Sequence, residues 1–199
     1  MNKLNQKTLI LAYQFLKQRR FGIFMRTIEL DLMAEMQCSN GQTLEQLSKN
    51  QAVMLVFLRH FGCSFCREAL HEISKIYDET LAEGTQIVFV HMTDYATAKP
   101  YFEKYNFKDA IQISDLDCKY YADFGLVKKG GKQLLGLSSF VRGFQSTVLQ
   151  GHGLWAALGD GFQMPGVFLI QDSEVKSSFI HQEPSDRPNY DALRKCCII

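Results

Sequence analysis

Residues 52–70 read Ala-Val-Met-Leu-Val-Phe-Leu-Arg-His-Phe-Gly-Cys-Ser-Phe-Cys-Arg-Glu-Ala-Leu. The first seven form an unbroken apolar run, which fits a strand buried on both faces in the middle of an α/β sheet. A helix is predicted from about Ser64 to Leu81. Phe65, Ala69, Leu70, Ile73, Ile76, Tyr77 and Leu81 trace one apolar stripe along it, and Gly84 closes it. Cys63 therefore falls at the helix's first turn, directly after the strand, and Cys66 lies about one turn further on.

That placement carries chemistry. Thiol exchange needs a thiolate, and a free cysteine titrates near ~8.5, so a reactive site must lower that value. The unpaired N–H groups and dipole of a helix N-terminus do so. Arg59, His60 and Arg67 add positive charge nearby. Cys63 is the candidate nucleophile. Cys66 is placed to attack a mixed disulfide on Cys63 and release the product. Two other readings stand beside this one. The pair is also half of a zinc site, with Cys118, Cys196, Cys197, His91 and His152 as further candidates, although no second spaced pair exists. Or it is two structural buried thiols.

Outward from this segment, strand signals alternate with helix signals. Residues 4–20 place Leu4, Thr8, Leu11, Ala12 and Phe15 on one helical face, and residues 27–32 alternate as a short strand should. Asn40–Gly41 marks a turn, and a short helix runs through Leu44 and Leu47. Residues 86–92 read as the next buried strand, followed by a helix with Pro100 as an early residue. A short strand at 110–113 and a helix at 117–124 closed by Gly125 come next. Residues 126–163 are Gly-rich and read as a long insertion. Residues 166–171 and 175–181 pair as a hairpin across Asp172–Ser173–Glu174. Asp186, with Pro188 just inside, starts a last helix through Leu193. Alternation followed by an antiparallel hairpin implies a mixed sheet with helices on both faces.

Composition narrows the partners. The chain has 199 residues, 46% of them hydrophobic, which suits one domain with a sizeable core. With 22 Lys and Arg against 21 Asp and Glu, the formal charge is +1, and no electrostatic case exists for nucleic acid as the main partner. No apolar run is long enough to span a bilayer. The first 20 residues read as a retained amphipathic helix rather than a cleaved leader, and the protein as cytoplasmic. Six cysteines are too few for a disulfide-dense secreted scaffold of this length.

Three segments together resemble a known family. Phe57 through Arg67 is similar to the active-site segment of the peroxiredoxin-like branch of the AhpC/TSA family. Gly159-Asp160-Gly161-Phe162-Gln163-Met164-Pro165-Gly166 is similar to that branch's later motif, and Asp115 through Gly125 to the segment before the insertion. The resemblance covers roughly residues 30–195. It implies a thioredoxin-like three-layer α/β fold with a mixed central sheet. Residues 1–26 are then an N-terminal helical extension, and residues 27–199 the domain, with an insertion at about 126–163 before the strand that follows Pro165. It further implies a cis peptide before Pro165, opposite the cysteine pair, which would offer the Met164 backbone to a docked substrate.

The implied activity is reduction of a disulfide, peroxide or endoperoxide, with Cys63 and Cys66 catalytic and Arg59, Met164 and Pro165 positioning the substrate. A thioredoxin-like or small-thiol reductant would regenerate the pair. No organic cofactor or metal is needed. The chain departs from the family's Pro-x-x-x-Thr-x-x-Cys pattern. His60 stands where Thr would, and Phe57 or its neighbours take the place of Pro, so the two groups that hold and polarise a peroxide are missing. Arg59 is a candidate to supply part of that role, and equally a structural ion-pair partner. The reading of another class is a non-enzymatic redox-sensing or scaffold module that keeps the fold and slow cysteines. Cys196-Cys197-Ile198-Ile199 also fits a loose C-terminal prenylation pattern, with only Arg194 and Lys195 as basic support.

Overall fold

The computed structural model describes residues 31–107, 109–129 and 160–195. The N-terminal extension, most of the insertion with His152 and Trp155, and the Cys196–Cys197 tail lie outside the described residues.

Helix α1 covers residues 31–35. A strand was expected through residue 32. The local alternation gives way to the spacing of Leu32, Met33 and Met36, three buried residues that reach the core together only from a helix. Helix α2 (Leu44–Asn50) starts at a capping box, in which Thr43 accepts the Gln46 N–H and Gln46 returns the bond to the Thr43 N–H. Then follow β1 (Ala52–Phe57), α3 (Ser64–Ala82), β2 (Thr85–His91), α4 (Tyr95–Lys104), β3 (Ile111–Ser114) and α5 (Lys119–Asp123). The hairpin β4 (Gly166–Gln171) and β5 (Glu174–Ile180) and helix α6 (Tyr190–Arg194) complete the domain.

The sheet runs β3-β2-β1-β4-β5, with β1–β2 and β2–β3 parallel and β1–β4 and β4–β5 antiparallel. β1 is central, which is why its residues can be apolar on both faces. Val53, Leu55 and Phe57 point into one core layer with α1, α2 and α5. Met54, Val56 and Leu58 point into the other, with α3, α4 and α6. The expected three layers are therefore present.

Several element ends differ from expectation. Pro100 sits inside α4, because Asp94 caps that helix earlier, accepting from the Thr97 N–H at 2.8 Å. The hairpin turn is the two residues Asp172 and Ser173, at φ 54 and 58, so β5 begins at Glu174 itself. The last helix is capped by Asn189, not Asp186. Asp186 instead takes the Gln182 and Glu183 N–H groups at 2.7 and 2.8 Å and closes the turn beside the cysteines. Buried Arg194 ties α6 to the far end of α3 through Glu79, Glu83 and Asp191.

The crossovers from β1 lead one way to β2 and β3, while β4 lies on the other side of β1. In open α/β sheets such a switch point leaves a crevice at the carboxyl end of the strands. Register pairs Phe57 with Gly166, so the chain leaving β1 and the chain entering β4 meet at that crevice.

Candidate active site

Cys63 is the N-cap of α3, and its carbonyl accepts the Arg67 N–H at 3.2 Å. Gly62 and a turn closed by the Cys63 N–H on the His60 carbonyl, at 2.9 Å, bring the chain from β1 to the helix. Cys63 and Cys66 are both reduced and nearly buried, at 6% and 4% exposure. They are still not sealed off. Both line a narrow, partly open cleft together with Arg59, Pro165, His181 and Tyr190. Its walls are largely apolar, from Val56, Phe65, Ala69, Val167, Pro184 and Pro188.

Arg59 organises the site. Its backbone N–H donates to Cys66 Sγ at 3.3 Å, and its guanidinium donates to Cys63 Sγ at 3.5 Å and to the Gly161 carbonyl. One residue thus touches both sulfurs and the start of the later motif. The strand end that carries Arg59 is held by Tyr121, whose hydroxyl donates to the Leu58 carbonyl and, at 3.1 Å, to the Val90 carbonyl. Tyr121 is held in turn by Asp115, which takes the N–H groups of Lys119, Tyr120 and Tyr121 at the start of α5. The Asp115–Gly125 segment therefore works as a brace under Arg59.

The two thiols diverge. The Cys63 thiol is held well below its ordinary value, first by the hydrogen bond from the Cys66 thiol, then by the charges of Arg59 and His60, against the opposing effect of burial. Burial and the Cys63 anion push the Cys66 thiol well above its ordinary value. The Cys63 sulfur makes no capping hydrogen bond, and the Cys66 N–H is the smallest of the influences that favour its anion.

The structure brings Cys63, Cys66, Arg59 and Pro165 to one pocket, but not Met164, which is buried behind it with its carbonyl at 3.4 Å from the Gln163 amide. Among the described residues no peptide bond is cis, so the expected cis bond before Pro165 is absent. Pro165 is instead a trans residue just before β4, where its missing N–H costs no ladder bond. His60, at the Thr position of the family pattern, does not line the pocket; it is half-buried and leans towards Gly161. Burial lowers its pKa. Cys38 and Cys118 are buried in the opposite core layer.

Sequence reasoning missed His181, Glu68, Glu72 and Arg187. Arg187 bridges Glu68 and Glu72 across one wall of the pocket. The only trace in the sequence is the i, i+4 spacing of the two glutamates on α3.

Two buried histidines make the fold acid-sensitive. His91 packs between Gln112 at 3.1 Å and Thr93 at 3.2 Å, and burial lowers its pKa to about 4. His181, in the pocket wall, is lowered to about 4 for the same reason. Both fold as neutral rings, whereas the unfolded chain binds protons near 6.5. Between those values the unfolded state holds more protons, so stability falls as pH falls. Denaturant titrations are expected to lose up to about 1.4 kcal/mol per pH unit per histidine in the window between the two values. A flat profile there would place both rings in water.

The fold is thioredoxin-like, and it sets a lowered thiol beside a raised one at the head of α3. The AhpC/TSA family profile matches residues 30–177, and the chain belongs to that family. A prostamide/prostaglandin F synthase of Danio rerio is 26% identical over 181 residues, covering 86% of this chain and 89% of that protein. One from Salmo salar is 27% identical over 153 residues, 72% of each. A peroxiredoxin 6 structure from Arenicola marina shares the fold at TM-score 0.57 and 13% identity, covering 80% of this chain and 66% of that one. The chain is a peroxiredoxin-like, thiol-dependent oxidoreductase, of a family that works on peroxide or thiol substrates with a reductant. Among the described residues no helix is long and apolar enough to cross a membrane.

Proposed function

We propose that the chain reduces the O–O bond of an apolar peroxide or endoperoxide, with Cys63 as nucleophile and Cys66 as resolving thiol. The observation that carries this reading is the Arg59 guanidinium on Cys63 Sγ in a cleft whose lining is more apolar than polar. The Cys63 thiolate attacks one oxygen, and the O–O bond breaks. The far oxygen leaves as an alkoxide, beside the guanidinium, and takes a proton from water. Cys66 then loses its proton to the medium and attacks Cys63 sulfur. That closes the disulfide and expels the second oxygen, which is protonated in its turn. The sum is one O–O bond and two thiols converted to two hydroxyls and one disulfide. A dithiol reductant of the thioredoxin type restores the pair.

The names of the two fish relatives support the endoperoxide. The missing Thr and Pro favour a substrate held by pocket walls over hydrogen peroxide, which has little to grip them. The test offers hydrogen peroxide, a lipid hydroperoxide, a prostaglandin endoperoxide and an insulin disulfide under a thioredoxin–NADPH couple. NADPH consumption is expected to be fastest with the two lipid substrates. Consumption with insulin alone would make the chain a disulfide reductase, and none with any substrate would leave a sensing module.

A further inference from the structure

Arg67 is 1% exposed on the first turns of α3, and its Nε, Nη1 and Nη2 all lack a hydrogen-bond partner among the described residues. A bare guanidinium in the interior is costly unless something offsets its charge. The contrast with Arg194 is direct. That residue is as deeply buried, and three carboxylates meet it. The acidic groups nearest in sequence to Arg67, Glu68 and Glu72, are held by Arg187 on the pocket wall. Two phenols also bear on Arg67: Tyr105, whose hydroxyl is buried without a partner among the described residues, and Tyr101, stacked on Phe61 at 4.5 Å.

What remains as an anion is the cysteine pair. Arg67 follows Cys66 directly, and its N–H closes the first turn of α3 on the Cys63 carbonyl at 3.2 Å. Burial draws the guanidinium's own pKa down, and Tyr105, Cys63, Cys66 and Tyr101, when anionic, hold it up.

We infer that Arg67 is a positioning residue whose unpartnered interior charge stabilises the reduced Cys63–Cys66 pair and loses its counter-ion when the pair closes to a disulfide. This rests on the redox pair of the proposed function but not on its substrate. Reduction converts the disulfide and a dithiol into a Cys63 thiolate, a Cys66 thiol, an oxidised dithiol and one proton. Only the reduced side of that balance holds an anion for Arg67, so its charge makes the pair more oxidising.

The test equilibrates the whole chain in dithiothreitol redox buffers and titrates the Cys63 thiolate by its ultraviolet absorbance. The groups that bear on that thiolate are Arg59 and His60 from the β1–α3 loop and Cys66 from α3, while Arg67 itself feels Cys63, Cys66, Tyr101 and Tyr105. The informative variant is Arg67→Met. It removes the charge without orphaning a partner, and such replacements of buried ions are commonly tolerated. Arg67→Met is expected to favour the disulfide by about tenfold, equal to about 30 mV, and to raise the Cys63 pKa. Arg67→Lys is expected to return most of both shifts. An unchanged potential in Arg67→Met, or a Lys variant no better than the Met one, overturns the inference. So does an Arg67→Met chain that fails to fold while reduced and oxidised alike, since Arg67 would then hold the fold through contacts unrelated to the sulfurs. Failure of the wild-type chain to form the disulfide at all would instead sink the proposed function.

Discussion

Cys63→Ser is expected to remove reductant-coupled turnover, by about 10³-fold or more, as loss of a nucleophile does in a site that acts as a unit. Cys66→Ser is expected to stop turnover as well, but in a different way. Its hydroxyl can still donate to the Cys63 sulfur, which is the largest influence holding that thiol low. The first attack therefore proceeds once, and one equivalent of substrate is consumed per chain. The product stays on Cys63 as a sulfenate ester, or as a sulfenic acid with a hydroperoxide, because among the described residues no other cysteine is placed to displace it. Cys38 and Cys118 lie in the other core layer, across the sheet. Intact mass after a single addition of substrate reads the adduct directly. The pH profile separates the two thiols further. In the wild type the first step should reach its plateau below the ordinary thiol range, since Cys63 is lowered, while resolution should still climb above it, since Cys66 is raised. Wild-type turnover by Cys66→Ser would move the resolving role to a second molecule, and wild-type turnover by Cys63→Ser would end the assignment.

The parts of this site that were legible in the sequence are those written in apolar periodicity and in residue spacing. The run at 52–58 read as a buried strand, and the stripe from Phe65 to Leu81 as a helix. Their junction therefore placed Cys63 where it is found. The hairpin of β4 and β5 was equally plain, whereas the placing of Pro165 opposite the cysteines came only from the family resemblance. The sequence reading failed where local signals compete. Alternation at 27–32 and the helical spacing of Leu32, Met33 and Met36 overlap, and tertiary burial decided for the helix. Asp186 and Asn189 are both good caps, and Asp186 was drawn off by the N–H groups of Gln182 and Glu183. The greatest loss was in charge. The helix N-terminus and the nearby cations were legible, but not the neighbouring thiol, whose hydrogen bond joins the Arg59 guanidinium in holding Cys63 low. Arg67 read as one more nearby cation, because burial without a partner is invisible until α4 is packed against α3. His181 and Arg187 reach the pocket from more than a hundred residues away, over the turn that Asp186 closes, and no spacing along the chain announces that.

Arg59→Gln is expected to lower kcat/KM at neutral pH by about 10²-fold, the scale on which one preorganised donor to a developing oxyanion acts. Two effects combine in that figure. The first falls on the ground state. Without the guanidinium at 3.5 Å the Cys63 thiol titrates higher, and less thiolate is present at neutral pH. The second falls on the transition state, where the departing alkoxide loses a fixed positive charge in a water-poor pocket. Alkaline pH restores the first and not the second, so the fraction of the loss that persists on the high-pH plateau isolates the contact with oxygen. Arg59→Lys keeps a charge but not a fork that reaches Cys63 Sγ and the Gly161 carbonyl together, and should fall between the two. The fold should tolerate both changes. The backbone N–H of Arg59 still meets Cys66 Sγ, and Tyr121 still holds the Leu58 carbonyl. Loss of the Gly161 contact costs no more than about 1.5–3 kcal/mol, the range for a single hydrogen bond from a charged donor. If the Gln variant kept wild-type kcat/KM and an unshifted pH profile while melting earlier, Arg59 would be only a tether between β1 and residues 160–163. The thiolate would then owe its acidity to Cys66 and to the positive charges that remain.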